Sequence, residues 1–278
     1  MSVTADARRL GLTAAEISHW QEHGHVAVPD FFTPDETTLL QEEVRVLQRA
    51  GRLRNVATSG DGRTASTTAA NFQVCPVGPH SRPIRALAHA RTVTAAITSL
   101  IGPTAVLHLD QIFLKPARQG VGTGWHTDNA YFRSRLVEAG TGLWIAVHAA
   151  HRENGTMRLI PGSHRAQWAH RRDPGSDHHV TCVDAVDPDQ AMDIELPAGG
   201  ALFFNYGVVH STGGNQTDAD RAALALHFVR EEEVPADDRF VLSPEDMSSR
   251  RLFGGDGGWA VHGEDLRGVW ESLTETAR

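Results

Sequence analysis

The 278-residue chain has only two cysteines, Cys75 and Cys182, and neither sits in a C-x-x-C pair. That excludes a disulfide-stapled scaffold, and both are expected as reduced thiols that serve packing. A basic excess is also missing: the formal net charge of -8 argues against a general nucleic-acid binder. No apolar run approaches the roughly 18 residues needed to span a bilayer, and the first thirty residues lack a basic stretch followed by an apolar one. A cytoplasmic protein is expected, with neither nucleic acid nor membrane as a partner. Internal repeats, low-complexity segments and linkers between domains are absent as well, so residues 1–278 are expected to form one domain. The 40 % hydrophobic and 22 % charged content leaves enough apolar surface for a sizeable core.

What is present has two textures. In "LTAAEISHWQEHG", Thr13 and Glu16 form a capping-box pattern and Gly24 is a stop signal, predicting a helix over about 14–23. "HVAVPDFF" reads as a short strand. A second helix is marked by Thr33 as cap, Pro34 at the first helical position, Glu36 completing the box, and an apolar stripe of Leu39, Leu40, Val44 and Leu47, ending at Gly51. "RNVATSGDGRTASTTAANFQV" reads as a loop with a short strand, and "RPIRALAHARTVTAAITSLIG" as two short helices ending at Gly102. From Ala105 onward the runs are short, apolar and β-branched: "AVLHLDQIFLKP", "GLWIAVHAA", "TMRLIP", "MDIELPAGGALFFN" and "ALALHFVR". Turns of Gly, Pro and Asn separate them, which predicts an antiparallel sandwich or barrel. Residues 231–278 are polar around "FGGDGG" and fit either a flap or a tail packed on the barrel.

Sixteen histidines and thirty-four acidic residues in 278 positions predict about two His-x-acid pairs by chance. Four occur: His108 with Asp110, His126 with Asp128, His151 with Glu153, and His262 with Glu264. On a strand each pair would present an imidazole and a carboxylate to one face. A two-His-one-carboxylate facial site needs a second, distant histidine and leaves three octahedral positions open. His151-x-Glu153 runs into the turn signal Asn154-Gly155 and reads as a solvated loop. His262-x-Glu264 lies in the Gly-rich tail with no histidine after it. His108-x-Asp110 sits in a convincing strand and reads more readily as buried polar groups on a barrel wall. His126-x-Asp128 has a candidate partner in "GGALFFNYGVVHSTGG", where His210 closes an apolar strand. Eleven residues later Arg221 opens "RAALALHFVR", sharing a face with Ala223 and Ala225 while Leu224, Leu226 and Phe228 take the other. Small residues beside a guanidinium leave room for a small acid, which Arg can bind in a bidentate fashion.

Five motifs, in order, carry a resemblance: "DQIFLKP", "GWHTDNAYF", "GLWIAVHAAHRENGTMRLIPGSHR", "PAGGALFFNYGVVHSTGGN" and "RAALALHFVR". Over roughly residues 20–230 the chain resembles the phytanoyl-CoA dioxygenase family, with "ENGTMRLIPGSH" the most diagnostic string. The resemblance implies a mainly β fold with flanking helices around a double-stranded β-helix core of jelly-roll, cupin-like type. The helical part would cover about 1–103, the core about 104–230, and a flap or tail 231–278. It implies Fe(II), 2-oxoglutarate and O2 as cofactor and cosubstrates, with ascorbate stimulating in vitro. His126, Asp128 and His210 match the iron ligands, and Arg221 and Thr212 match the groups on the far carboxylate of 2-oxoglutarate. Gln111 matches a glutamine near the cosubstrate, and Trp144 an aromatic lining residue that is equally consistent with core packing. Gly155, Pro161 and Gly162 are turn residues on either reading. The intact Asp128 favours hydroxylation over halogenation, because halogenating relatives carry a small residue there. Asn71, Gln73, Asn129, Tyr131, Arg133 and Arg158 are candidates to face the substrate; an arginine inside an apolar strand, as at 158, needs a partner.

The expected activity is hydroxylation of an unactivated C–H bond of a small molecule in natural-product biosynthesis, with release of succinate and CO2, by a monomer or homodimer. Alternatives are an acyl-CoA or amino-acid-derived solute hydroxylase, and a non-catalytic cupin-type metal- or ligand-binding barrel. A zinc hydrolase using the same triad leaves Arg221 and Thr212 without a role.

Overall fold

The structure is a computed structural model that describes residues 9–238, 250–252, 260–261 and 264–275. Helix α1 (Ala14–His23) starts at the Thr13–Glu16 capping box and stops at Gly24, whose φ of 78° is the left-handed conformation glycine tolerates. Strand β1 (His25–Val28) leads to α2 (Pro34–Arg49), which opens on the second capping box, Thr33 with Glu36. Its buried stripe of Leu40, Val44 and Leu47 is the predicted one. The polar stretch contributes β2 (Arg54–Asn55) and β3 (Phe72–Val74), and two helices follow, α3 (Arg82–Leu87) and α4 (Arg91–Ile101).

The β-rich half then runs through β4 (Ala105–Lys115), β5 (Thr123–His126), the single turn α5 (Asn129–Phe132), β6 (Gly140–Ala146) and β7 (Met157–Leu159). It continues with β8 (His170–Arg172), β9 (Val180–Cys182), β10 (Met192–Asp193), β11 (Ala201–Asn205), β12 (His210–Thr212) and β13 (Arg221–Arg230). Near the end lies α6 (Leu266–Glu275).

A seven-stranded sheet has the order β1-β11-β6-β13-β4-β3-β2, and a four-stranded sheet has the order β10-β7-β12-β5. This is the double-stranded β-helix expected of the sequence, with β1 to β3 of the N-terminal part annexed to the larger sheet. Alternation along β13 separates two cores. Leu224, Leu226 and Phe228 join Ile97, Ile112, Ile145 and Phe203 in the large core against the helices. Ala223 and Ala225 instead join Trp144, Met157, Leu159 and Phe204 in a smaller cluster on the cavity side. The larger sheet thus buries one face against α2, α3 and α4 and keeps the other for the site.

The described part of the C-terminal segment packs onto this body. Asp238 Oδ2 lies 2.7 Å from His108 Nε2, and Trp270 Nε1 donates to Glu36 Oε1 at 3.2 Å. "FGGDGG" lies outside the described residues, as does His262 of the fourth His-x-acid pair. A β8–β9 hairpin, which the sequence did not disclose, is built into the long connection between β7 and β10.

Leu224→Ala, on the helix-facing side of β13, is expected to lower the unfolding free energy by about 2–5 kcal/mol. Equilibrium urea unfolding measures it, and a cost below about 1 kcal/mol would contradict the burial of this side chain in a close-packed core.

Candidate active site

Two strands of the smaller sheet create the centre of the site. β12 pairs antiparallel with β5 so that His210 lies directly opposite His126. Directly opposed residues on one face are close enough to interact, and here the imidazole centroids are 4.2 Å apart. The chain leaves the strand after His126 and turns into α5, which brings Asp128 back beside both rings. Nδ1 of His126 lies 2.8 Å from the Gly124 carbonyl, and Nδ1 of His210 lies 3.0 Å from the Val208 carbonyl. A carbonyl only accepts, so each Nδ1 carries its proton and each Nε2 presents a lone pair. Those Nε2 atoms stand 4.0 Å (His126) and 3.6 Å (His210) from Asp128 Oδ1.

All three ligand atoms lie within 4.8 Å of one another, the one such cluster among the described residues. Burial, then the neighbouring His210 ring, pushes the His126 imidazole down to about 3. Burial alone would raise Asp128, but His227 and His210 hold its carboxyl at about 2. Neutral imidazole and ionised carboxylate are the protonation states that bind metal. This donor set, with tautomers fixed by backbone carbonyls, fits a divalent ion of the Fe(II) type.

A second cluster holds two buried cations. Arg221 is 1 % and Lys115 2 % exposed, and they are cross-strand partners between β13 and β4. Among the described residues neither has a carboxylate within ion-pair distance. Arg221 donates to the carbonyls of Gly155 and Asn154 and lies over the Trp144 ring, 5.8 Å from its centroid. Lys115 Nζ donates to Thr212 Oγ1 at 2.7 Å, to the Gly155 carbonyl at 3.3 Å, and to the Gly213 carbonyl. Burial lowers Arg221 to about 10, and burial with the Arg221 charge drives Lys115 well below its ordinary value. Uncompensated buried charge is costly, so this corner favours an anion. Thr212 Oγ1 already accepts from Lys115 and from Thr123 N at 3.1 Å. Its hydroxyl proton is therefore directed to a third partner.

One cavity of about 190 Å³ touches both clusters and is lined by His126, Asp128, His210, Arg221, Lys115, Thr212, Gln111 and Trp144, with Phe113, Met157 and Phe204 as apolar wall. Asn71, Gln73 and Tyr131 also line it, together with Cys75, His178 and His179. Cys75 is thus exposed at the cavity rather than a packing residue.

Three of the substrate-facing candidates are engaged elsewhere among the described residues. Asn129 does not line the cavity; its amide bonds the backbone of Ser134 in both directions, at 2.9 and 3.1 Å, and closes the turn after α5. Arg158 has its partner in Asp193, at 2.9 Å on the outer face, with its guanidinium over Trp125. Arg133 pairs with Asp237 at 3.2 Å near the surface. His108 binds Asp238, and Asp110 accepts from the amides of Val77 and Gly78, so that pair is structural. His151 and Glu153 contact each other at 2.8 Å in solvent, as a loop pair should.

Three participants escaped sequence reasoning. Lys115 had a signal, since it is the only lysine in the chain. His170, on β8, accepts from the amide of Thr127 at 3.1 Å, between two of the triad residues. His227, on β13, stands 3.3 Å from Asp128. Both histidines belong to patterns too short to distinguish from background.

Comparison with known proteins agrees with this geometry. The model of the family described as phytanoyl-CoA dioxygenase matches residues 20–223. Phytanoyl-CoA dioxygenase domain-containing protein 1 of Mus musculus is 24 % identical over 262 residues, covering 78 % of this chain and 90 % of that protein. The ectoine dioxygenase of Halomonas elongata is 26 % identical over 263 residues, covering 86 % and 75 %. The crystal structure of the epimerase SnoN in complex with Fe3+, alpha ketoglutarate and nogalamycin RO superposes with a TM-score of 0.67 at 21 % identity, covering 83 % of this chain and 89 % of that one. The last of these is a likeness of fold.

Anaerobic titration with Co(II), followed by ligand-field absorption, is expected to show one site that His126→Ala or His210→Ala weakens by at least about 100-fold. His108→Ala should leave it in place. Metal binding that survived the first two substitutions would dismantle the assigned triad.

Proposed function

The chain belongs to the phytanoyl-CoA dioxygenase family, and as a dioxygenase of that family we propose that it hydroxylates an unactivated C–H bond of an uncharged small molecule. The balance is one C–H bond, one O2 and one 2-oxoglutarate consumed, with one C–OH bond, succinate and CO2 formed. The observation that carries the reading is the pairing, in one cavity, of a His-Asp-His donor set with two buried basic side chains that have no carboxylate partner among the described residues.

His126, Asp128 and His210 would hold Fe(II), and iron with 2-oxoglutarate and O2 supplies an oxidant able to attack an unactivated C–H bond. The protein supplies the rest. Arg221 and Lys115 offset the far carboxylate of 2-oxoglutarate, and the Thr212 hydroxyl donates to it because its lone pairs are already taken. Trp144 fixes the guanidinium plane. Phe113, Met157 and Phe204 keep water from the reacting centre.

The substrate rim is formed by β3 and the β8–β9 hairpin, and the loop between β2 and β3 is tied to the turn of that hairpin by Thr58 donating to the Gly175 carbonyl at 2.6 Å. Asn71 is 2 % and Gln73 8 % exposed, both face the cavity, and Asn71 Oδ1 and Gln73 Nε2 have no hydrogen-bond partner among the described residues. Buried polar atoms left open in a cavity wall are suited to a ligand's donors and acceptors. His179 beside them is pushed down to about 4 by burial and is neutral at pH 7. Apart from Asp128, Lys115 and Arg221, no lining residue among the described ones is an acid, lysine or arginine. An uncharged, oxygen- or amide-bearing scaffold of the natural-product kind matches that wall. A phosphate-bearing thioester or a zwitterionic solute would meet no opposite charge there.

A panel spanning neutral polycyclic scaffolds, acyl-CoA thioesters and zwitterionic amino-acid derivatives, scored by substrate-stimulated succinate release, tests the class. Stimulation by neutral members and loss of it in His126→Ala is the expected result; stimulation by thioesters alone would overturn the substrate class. Lys115→Met is expected to raise the KM for 2-oxoglutarate by about 10- to 100-fold, the worth of roughly 1.4–2.7 kcal/mol of lost charge pairing. Initial-rate kinetics with varied 2-oxoglutarate decide it, and an unchanged KM would remove Lys115 from the cosubstrate site.

A further inference from the structure

The geometry points to His227, oriented by Gln111, as a positioning residue that restrains the second oxygen of Asp128 and leaves the first to face the metal. The inference rests on the metal-site reading above. The two carboxylate oxygens have different surroundings. Oδ1 is the atom nearest Nε2 of His126 and of His210, at 4.0 and 3.6 Å, whereas Oδ2 is 3.3 Å from His227 Nδ1. All of these groups are buried. Neither Asp128 Oδ2 nor His227 Nδ1 makes a hydrogen bond among the described residues. Leaving both unsatisfied would cost the desolvation of a charged acceptor and of a donor, so each is the other's natural partner. At 3.3 Å the contact is longer than a tight charge-assisted bond.

The proton position follows from the residue behind. Gln111, on β4, lies diagonally across the ladder from His227, because its direct partner is Ala225 and that of His227 is Leu109. Its side-chain Nε2 is 3.2 Å from His227 Nε2. An amide nitrogen can only donate, so His227 Nε2 accepts and the ring's proton sits on Nδ1, facing the carboxylate. The opposite amide orientation would turn an Nδ1 lone pair toward Asp128, which the negative charge disfavours. The chain of contacts therefore has a direction: Gln111 donates to His227, and His227 turns its Nδ1 proton toward Asp128 Oδ2. Phe132, with its ring centroid 5.1 Å from that of His227, limits the imidazole's freedom to tilt.

The consequence concerns coordination number. A carboxylate that binds through both oxygens takes two of six octahedral positions, and the two histidines take two more. Bidentate 2-oxoglutarate and O2 need three. A hydrogen bond from His227 to Oδ2 would keep Asp128 to one position and preserve the third. Gln111, expected from the family resemblance to lie near the cosubstrate, acts in this scheme through His227.

The test uses the metal-free protein and Co(II), read by ligand-field absorption, with thermal unfolding of each metal-free variant as the fold control. His227→Leu is expected to bind Co(II) about 10- to 100-fold more weakly, the usual cost of losing a partner that orients a metal ligand, and to shift the absorption envelope. His227→Asn, whose amide nitrogen falls near the position of Nδ1, should recover affinity to within about threefold of the parent, while His227→Gln, which mimics Nε2, should not. Gln111→Leu should show a smaller loss in the same direction, and it decides the matter if His227→Leu does not fold. A folded His227→Leu with parental affinity and spectrum would overturn the inference. So would equal weakening by Leu and Asn, since the side chain would then only fill space. A parent protein that binds no Co(II) at the triad would instead overturn the metal-site reading itself, which separates the two failures.

Discussion

The register of β12 on β5 is the constraint on which the site depends. Because His210 stands opposite His126, one sheet delivers two imidazoles to the same point with no adjustment of the loops. Between His210 and Thr212 the ladder shifts register by one residue, which sets Thr212 opposite Thr123 with its hydroxyl on Lys115. A slip of one residue would turn every side chain on β12 to the opposite face. The strand would then present Ser211 to the cavity and bury no ligand. The apolar packing of Leu159 and Phe204 around β12 is thus a condition of the chemistry as well as of stability.

The larger sheet solves a different problem, the burial of like charges. Arg221 and Lys115 are neighbours across β13 and β4, and proximity of two cations in a dry environment is unfavourable to the protein alone. Backbone carbonyls of Gly155, Asn154 and Gly213 satisfy their hydrogens without neutralising them. Gly155 is the hub, with its carbonyl taken by both cations. Its φ of 79° and the approach of Gly213, whose carbonyl oxygen lies 2.3 Å from where a Cβ would stand, leave no room for another residue. Stored electrostatic cost of this kind is relieved by an anion, so a dicarboxylate is held more firmly than the few contacts around it would imply.

Much of this was legible in the sequence because it rests on local rules. Capping boxes at Thr13 and Thr33 mark helices within a residue of where they begin, and alternation along "RAALALHFVR" separates the face of Arg221 from that of Leu224. The triad was legible through its context rather than its spacing, since His108 and Asp110 have the same spacing and hold the chain together instead. What escaped depends on pairings between distant strands. Arg158 looked like a substrate residue only while Asp193 was unseen, and the two meet because β10 pairs with β7. Asn129 looked available until Ser134 folded back onto it. His227 gave no signal, as a histidine on a buried strand is ordinary until a carboxylate from elsewhere arrives beside it.

The β8–β9 hairpin joins these two levels. His170 lies on β8, accepts from the amide of Thr127, and is itself held by the Trp168 carbonyl at 2.9 Å. The backbone between two metal ligands is therefore anchored to the insertion that also carries His178 and His179 to the cavity rim. On β9, the amide of Val180 donates to Tyr131 Oη at 2.9 Å, and Tyr131 lies edge-on to His126. A change in the hairpin is consequently felt at the metal ligands as well as at the substrate wall. The hairpin that borders the cavity thus also helps hold His126 and Asp128 in place, through His170 and Tyr131.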